Sequence, residues 1–117
     1  MDLGLLQQAV RNRHMLVGPH ALSEAAADQV TIQEIWDGVM SPSAEVIEDY
    51  PMDPRGPSCL IYCLSNRIAE HVVVAYPSVP AASTLGLPAI AFMITCYRPG
   101  GPKYASKWSA DCKRRIA

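Results

Sequence analysis

The chain carries no large charge of either sign. Ten Lys and Arg face eleven Asp and Glu, a formal net charge of −1. Strong nucleic-acid binders gain affinity by neutralising phosphates, and the bulk composition does not mark one here. A local basic patch is nevertheless present: Arg98, Lys103, Lys107 and the run Lys113-Arg114-Arg115. No apolar run approaches the roughly 20 residues of a membrane span, so no membrane partner is expected. The N-terminus lacks the charged-then-apolar order of a signal peptide, and the expected location is cytoplasmic. The four cysteines, at 59, 63, 96 and 112, form neither a C-x-x-C pair nor a His/Cys ligand array. No metal site and no cofactor are expected, and the thiols read as buried groups in a reducing compartment. There is no internal repeat and no second domain. Residues 1–117 are therefore read as a single domain, half of whose residues are hydrophobic.

Helical periodicity governs the first forty residues. Asp2 can cap a helix over 2–16, with Leu3, Leu6 and Val10 on one stripe and Gln7, Arg11 and Asn12 off it. Gly18-Pro19 stops it and opens a short alanine-rich helix, His20 to Asp28. The third helix carries the clearest signal. In Thr31-Ile32-Gln33-Glu34 the hydroxyl and the carboxylate can satisfy each other's free backbone N–H groups, a capping box. Ile32, Ile35, Trp36, Val39 and Met40 then form a wide apolar stripe that Ser41-Pro42 ends.

From residue 44 onward the pattern is extended. Val46-Ile47 begins a strand, the turn Tyr50 to Pro57 follows, and Cys59 to Leu64 is extended again. Three prolines fix φ and remove donors, which keeps regular structure out of that turn. Arg67 to Tyr76 is the next strand, Pro77 to Pro88 an aperiodic loop, and Ala89 to Tyr97 the last strand. Trp108 to Ile116 reads as a closing helix. Short connections between strands predict a meander. The expected class is α+β: N-terminal helices on one face of a four-stranded, mainly antiparallel sheet, and a C-terminal helix.

Alternation sorts the strand residues. Ile90, Phe92, Ile94 and Cys96 fall on one face of the last strand and suit the helix-facing core. Thr95 and Tyr97 fall on the other. In the preceding strand His71 shares a face with Val73 and Ala75. With matched core faces, His71, Thr95 and Tyr97 lie together on the open face, although a one-residue slip would reverse this. His71 reads either as a packed strand histidine or as a proton donor or acceptor in a shallow cleft. His20, at a helix start, reads as a local cap or as a second group of that site. Arg55 in its rigid turn, with Ser58 beside it, reads as a fork for phosphate or carboxylate, or as a partner of Asp53 or Asp49. Trp108 reads as a core anchor rather than a base-stacking platform. Lys113 to Arg115 reads as a solvated helix end.

Several runs together resemble a bacterial family. They are Pro19-His20-Ala21-Leu22, Ile47-Glu48-Asp49-Tyr50-Pro51, Asp53-Pro54-Arg55-Gly56-Pro57-Ser58-Cys59-Leu60, His71-Val72-Val73, Ile94-Thr95-Cys96-Tyr97-Arg98-Pro99, and Lys107-Trp108 with Asp111 and Arg114. The chain resembles the domain-of-unknown-function family DUF4258 over residues 18–115. The resemblance implies a small toxin paired with an antitoxin, similar in element order to the RelE and MqsR ribonuclease toxins. Such enzymes use no metal: a base activates the ribose 2′-hydroxyl, an acid protonates the leaving oxygen, and a cation or hydroxyl stabilises the transition state. Carried onto this chain, the resemblance implies His71, His20, Tyr97 and Thr95 as catalytic candidates. It implies Arg55, Ser58, Arg98 and Arg114 as substrate-binding candidates. Glu24 and Asp28 depart from it, standing where members carry Arg.

Two functions lead, from different classes, and a small-molecule binder using a cleft beneath the Pro77–Pro88 loop is a third. One is a metal-independent endoribonuclease-like toxin acting on RNA by acid/base cleavage. The other is a non-catalytic protein-interaction module, suggested by the near-neutral charge and the missing arginines. An exposed edge strand in such a sheet offers pairing to an antitoxin strand or to a second copy in a homodimer.

Overall fold

The computed structural model describes residues 1–76 and 90–116. The Pro77–Pro88 loop lies outside the described residues. Three helices, α1 (Leu3–Arg11), α2 (Pro19–Ala27) and α3 (Ile32–Met40), cover one face of a sheet. Its strands are β1 (Met15–Val17), β2 (Glu45–Tyr50), β3 (Ser58–Ser65), β4 (Ile68–Ala75) and β5 (Ala91–Tyr97). The class is α+β, but the sheet has five strands rather than four and is mixed. Its order is β1-β5-β4-β3-β2. The last four strands form an antiparallel meander, and β1 joins β5 in parallel, Leu16 opposite Phe92.

The extra strand comes from an earlier helix stop than the pattern predicts. Helix α1 ends at Arg11 and not at residue 16, because Arg13 adopts φ 62°. The amide of Arg13 then donates to the Val10 carbonyl and that of His14 to the Ala9 carbonyl. This is a Schellman stop with Arg where Gly is usual, so no glycine announced it. Gln29, at φ 55°, ends α2 in the same way. Gly18 does something else. Its amide donates to the Met93 carbonyl at 2.9 Å, and a Cβ there would lie 3.2 Å from the Phe92 ring. The capping box of α3 is formed: the Thr31 hydroxyl accepts from the Glu34 amide and the Glu34 carboxylate from the Thr31 amide.

The main core lies between helices and sheet. Leu6, Ala21, Ile35, Trp36 and Val39 pack on Cys59, Ile61, Cys63, Val72, Val74 and Met93. On β5 the alternation differs from expectation. Ala91, Met93 and Cys96 are buried, whereas Phe92 and Ile94 are each 36% exposed. The pairing skips from Val73–Thr95 to Val74–Met93, so Ile94 is the extra residue of a bulge. A bulge changes the face of every residue before it. Of the expected core set Ile90, Phe92, Ile94 and Cys96, only Cys96 is buried.

The closing helix expected at Trp108–Ile116 is not formed. A short 3-10 turn, Ala105–Lys107, leads into an antiparallel bridge between Trp108 and Arg115. Cys112 turns the chain at φ 61°. The Ser109 hydroxyl accepts from the Arg114 amide and the Asp111 carboxylate from the Lys113 amide. Such local side-chain bonds compete directly with helix formation.

Candidate functional site

The cross-strand register decides which side chains share the open face. Tyr62 pairs with His71, and His71 with Tyr97; Leu60 pairs with Val73, and Val73 with Thr95; Tyr50 pairs with Ser58. All these point away from the helices, because their neighbours Ile61, Val72 and Cys96 point into the core. His71, Thr95 and Tyr97 therefore lie on one face. Successive same-face residues on a strand stand about 7 Å apart, so Thr95 lies between the level of His71 and that of Ser58.

His71 is 0% exposed. Its Nε2 lies 2.6 Å from the Cys112 carbonyl and its Nδ1 3.1 Å from the Tyr97 hydroxyl. A carbonyl only accepts, so Nε2 carries the proton and donates, and Nδ1 accepts from Tyr97. Burial pulls the His71 pKa below its ordinary value, and the bond to Cys112 offsets this in part. The ring packs edge-on against Trp108, with centroids 4.4 Å apart. Burial also pushes the Tyr97 hydroxyl up to about 12.

The C-terminal segment covers this end of the open face. Arg115 meets Glu48 in a fork, with nitrogen–oxygen distances of 2.7 and 3.0 Å, and its guanidinium lies 4.7 Å from the Trp108 ring centroid. The Tyr50 hydroxyl donates to Glu48 as well. Burial works against the Glu48 carboxylate, but its bonds to Arg115 and Tyr50 hold it below its usual value. Lys113 pairs with Glu45 at 3.1 Å and lies over the Tyr62 ring. Glu45, Glu48, Arg115 and the Cys112 carbonyl escaped the sequence reading. Their meeting depends on the Cys112 turn, for which the sequence carries no marker.

Beside this cluster the same face opens into a pocket of about 690 Å³, lined among others by Tyr50, Arg55, Ser58, Val73, Phe92 and Thr95. Ser58 is buried, whereas the Arg55 side chain is 90% exposed. Arg55 is held by Asp53, with Nε and Nη2 at 3.3 and 3.2 Å from its carboxylate. That pair raises the Arg55 pKa and lowers that of Asp53.

The remaining candidates lie elsewhere. His20 stands on α2, in the layer across the sheet from His71; its side chain is 70% exposed and lies 3.8 Å from Glu24. Arg98 donates to the Ser65 and Ile68 carbonyls, and its Nε stands 3.5 Å from Glu70 on the helix side. Arg114 is exposed, and it is Arg115 that turns towards the sheet. Among the described residues no cluster of three or more His, Cys, Asp or Glu is arranged to hold a metal. No helix there is long and apolar enough to cross a membrane.

A family model described as a domain of unknown function (DUF4258) matches residues 17–82. That span includes Arg55, Ser58 and His71 and stops short of Thr95, Tyr97, Arg98 and Arg114. No curated protein and no solved structure matches the chain.

Proposed function

The chain belongs to the DUF4258 family, and from that premise we propose that its open sheet face is a metal-independent ribonuclease-like site of the toxin type. The observation that carries this reading is a shared face, with the His71–Tyr97 pair beside the pocket rather than in its lining. The pocket around Arg55, Ser58 and Thr95 lies on the same face and the same strands as the His71–Tyr97 pair. Helices ahead of an antiparallel meander also fit the element order implied by the resemblance to RelE and MqsR toxins.

In this mechanism the Cys112 carbonyl fixes the tautomer, leaving Nδ1 of His71 as the proton acceptor. The Tyr97 oxygen takes the proton of a ribose 2′-hydroxyl while its own proton passes to Nδ1. Arg55, released from Asp53, and the Ser58 and Thr95 hydroxyls hold the phosphodiester. His20 and Arg98 take no part, and the leaving oxygen is protonated from solvent. The partner of such a toxin would be an antitoxin that covers this face. A cytoplasmic setting and a homodimer through a sheet edge are compatible with this reading.

The test is cleavage of RNA, free and ribosome-bound, with growth arrest on expression as the cellular counterpart. Tyr97→Phe and His71→Asn are each expected to lower cleavage about 100-fold or more at unchanged secondary structure. Arg55→Gln is expected to raise KM more than it lowers kcat. RNA left intact by the wild-type protein in both settings sinks the proposal.

The second reading, a non-catalytic interaction module, draws on one specific observation: both ring nitrogens of His71 are engaged beneath Trp108. It expects a stable protein partner whose capture survives replacement of His71 and Arg55.

A further inference from the structure

Tyr104 belongs to no part of the machinery above, yet its ring lies on that of Tyr97. The centroids are 4.3 Å apart and the planes 27° from parallel, a face-to-face stack. Tyr97 in turn hydrogen-bonds His71. Tyr104 is only half-buried, and the exposed Lys103 and Lys107 hold their ammonium groups 5.4 and 5.8 Å from its ring centroid. The stretch from Arg98 to Ala110 contains these two lysines and Arg98 and not one acidic residue. The acids that balance the overall charge are elsewhere, with Glu45, Glu48, Asp49 and Asp53 clustered at β2 and its turn.

An aromatic face with two cations over it, neither of them in an ion pair among the described residues, is the combination that single-stranded nucleic acid selects. Bases stack on the ring whatever their identity, and phosphates take the cations. The ring is also fixed in orientation by the stack beneath it, so a base would meet a prepared surface. A protein partner with an acidic stretch would use the lysines but would have no need of the aromatic face.

We propose that Tyr104, with Lys103 and Lys107, forms a nucleobase-stacking subsite for single-stranded RNA, continuous through Tyr97 with the site around His71. The two ammonium groups leave their places over the Tyr104 ring to pair with the flanking phosphates, and a base stacks on the face they vacate. The subsite rests on the ribonuclease-like reading for its role in substrate choice, but its occupancy requires no cleavage. It gives little discrimination among the four bases, because every base presents a π-face.

The experiment measures binding of a short, fluorescently labelled, fully 2′-O-methylated oligonucleotide by anisotropy at several salt concentrations. The missing 2′-hydroxyl prevents cleavage, so binding is read apart from chemistry. Tyr104→Ala is expected to weaken binding about tenfold or more, and Tyr104→Phe and Tyr104→Trp to preserve it. Tyr104→Leu, which keeps an apolar contact with Tyr97, guards against a loss caused by misfolding and is expected to weaken binding as Ala does. The double variant K103Q/K107Q is expected to flatten the slope of log K against log salt by about 1.4, two phosphate contacts' worth. Tyr97→Phe keeps the stack and is expected to bind normally even where it no longer cleaves. That outcome separates failure of this subsite from failure of the catalytic reading. Absence of binding by the wild type, or affinity unchanged in Tyr104→Leu, overturns the proposal. So does inorganic polyphosphate competing as strongly as the oligonucleotide, since charge alone would then explain the patch.

Discussion

Glu70 and His71 are chain neighbours on β4, both fully buried, and they point to opposite faces of the sheet. They pull stability in opposite directions as pH changes. Burial lowers the His71 pKa below 6.5, so near and below that pH the unfolded chain binds the proton more readily. The stability it contributes is complete above about pH 6.5 and is lost as pH falls through that value. Glu70 is the reverse case. Burial raises its pKa from 4.5 to about 7, and the Arg98 charge offsets this only in part. Among the described residues neither of its carboxylate oxygens has a hydrogen-bond partner. Between pH 4.5 and about 7 the native state holds a proton that the unfolded chain has released, so stability declines as pH rises. At about 1.4 kcal/mol per pH unit the loss over that window is at most roughly 3–4 kcal/mol. Urea midpoints at pH 5 to 8 separate the two. Glu70→Gln is expected to be more stable than wild type at pH 8 and to lose the decline. His71→Gln is expected to lose the fall below pH 6.5. An unchanged profile for Glu70→Gln would show that its carboxyl is not the group responsible. Alternation along the strand was enough to put His71, Thr95 and Tyr97 on one face, but it carried no sign of how deeply His71 would be covered. That depth comes from Trp108, 37 positions along the chain by residue number.

The elements divide by whether their signals are local. Helix α3 was legible to the residue because its cap and stripe lie within ten positions, Thr31 to Met40. Replacing Thr31 by Ala is expected to cost about 1 kcal/mol, the usual worth of an N-cap. Helix α1 was overrun because its stop uses Arg13 in a left-handed conformation, which no composition rule anticipates. Strand β1 was missed for the same reason: three residues are too few to show a period of two, and the parallel partner β5 is more than seventy residues away. The β5 core set failed at Ile94, where a bulge breaks the alternation on which the expectation rested. One contact between elements yields a sharp expectation. A Cβ on Gly38 would stand 2.8 Å from the Leu64 carbonyl oxygen and 2.9 Å from the Cys63 sulfur. Helix propensity favours Ala there, but the obstacle is backbone of β3 and cannot turn aside. Gly38→Ala is expected to destabilise by about 1–3 kcal/mol as α3 is levered off the sheet. A thermal midpoint at or above that of the wild type would mean that α3 has room to slide.

Across the whole molecule the sheet separates two cores of unequal strength, and each contains one tryptophan. Trp36 lies between helices and sheet, in the large apolar core. Trp108 lies on the other face, over His71, in a small patch closed by the C-terminal segment. The first core is held by burial, which salt does not weaken. The second is fastened by ion pairs: Arg115 with Glu48 and Lys113 with Glu45. Partly exposed pairs of this kind contribute roughly 0–1 kcal/mol each and are screened as ionic strength rises. The covering segment is therefore expected to open before the main core does. Its opening would break the bond from Nε2 of His71 to Cys112 and bare Trp108. Single-tryptophan variants report on each side: Trp36→Phe leaves Trp108, and Trp108→Phe leaves Trp36. In Trp36→Phe, rising salt or added Glu48→Gln is expected to red-shift the emission at denaturant concentrations well below the main transition. In Trp108→Phe the emission of Trp36 is expected to stay unmoved until global unfolding. Coincident transitions in the two variants would make the C-terminal segment an integral part of a single cooperative unit. The Cys112 carbonyl would then hold the His71 tautomer for as long as the domain stays folded, as the proton relay through Tyr97 requires.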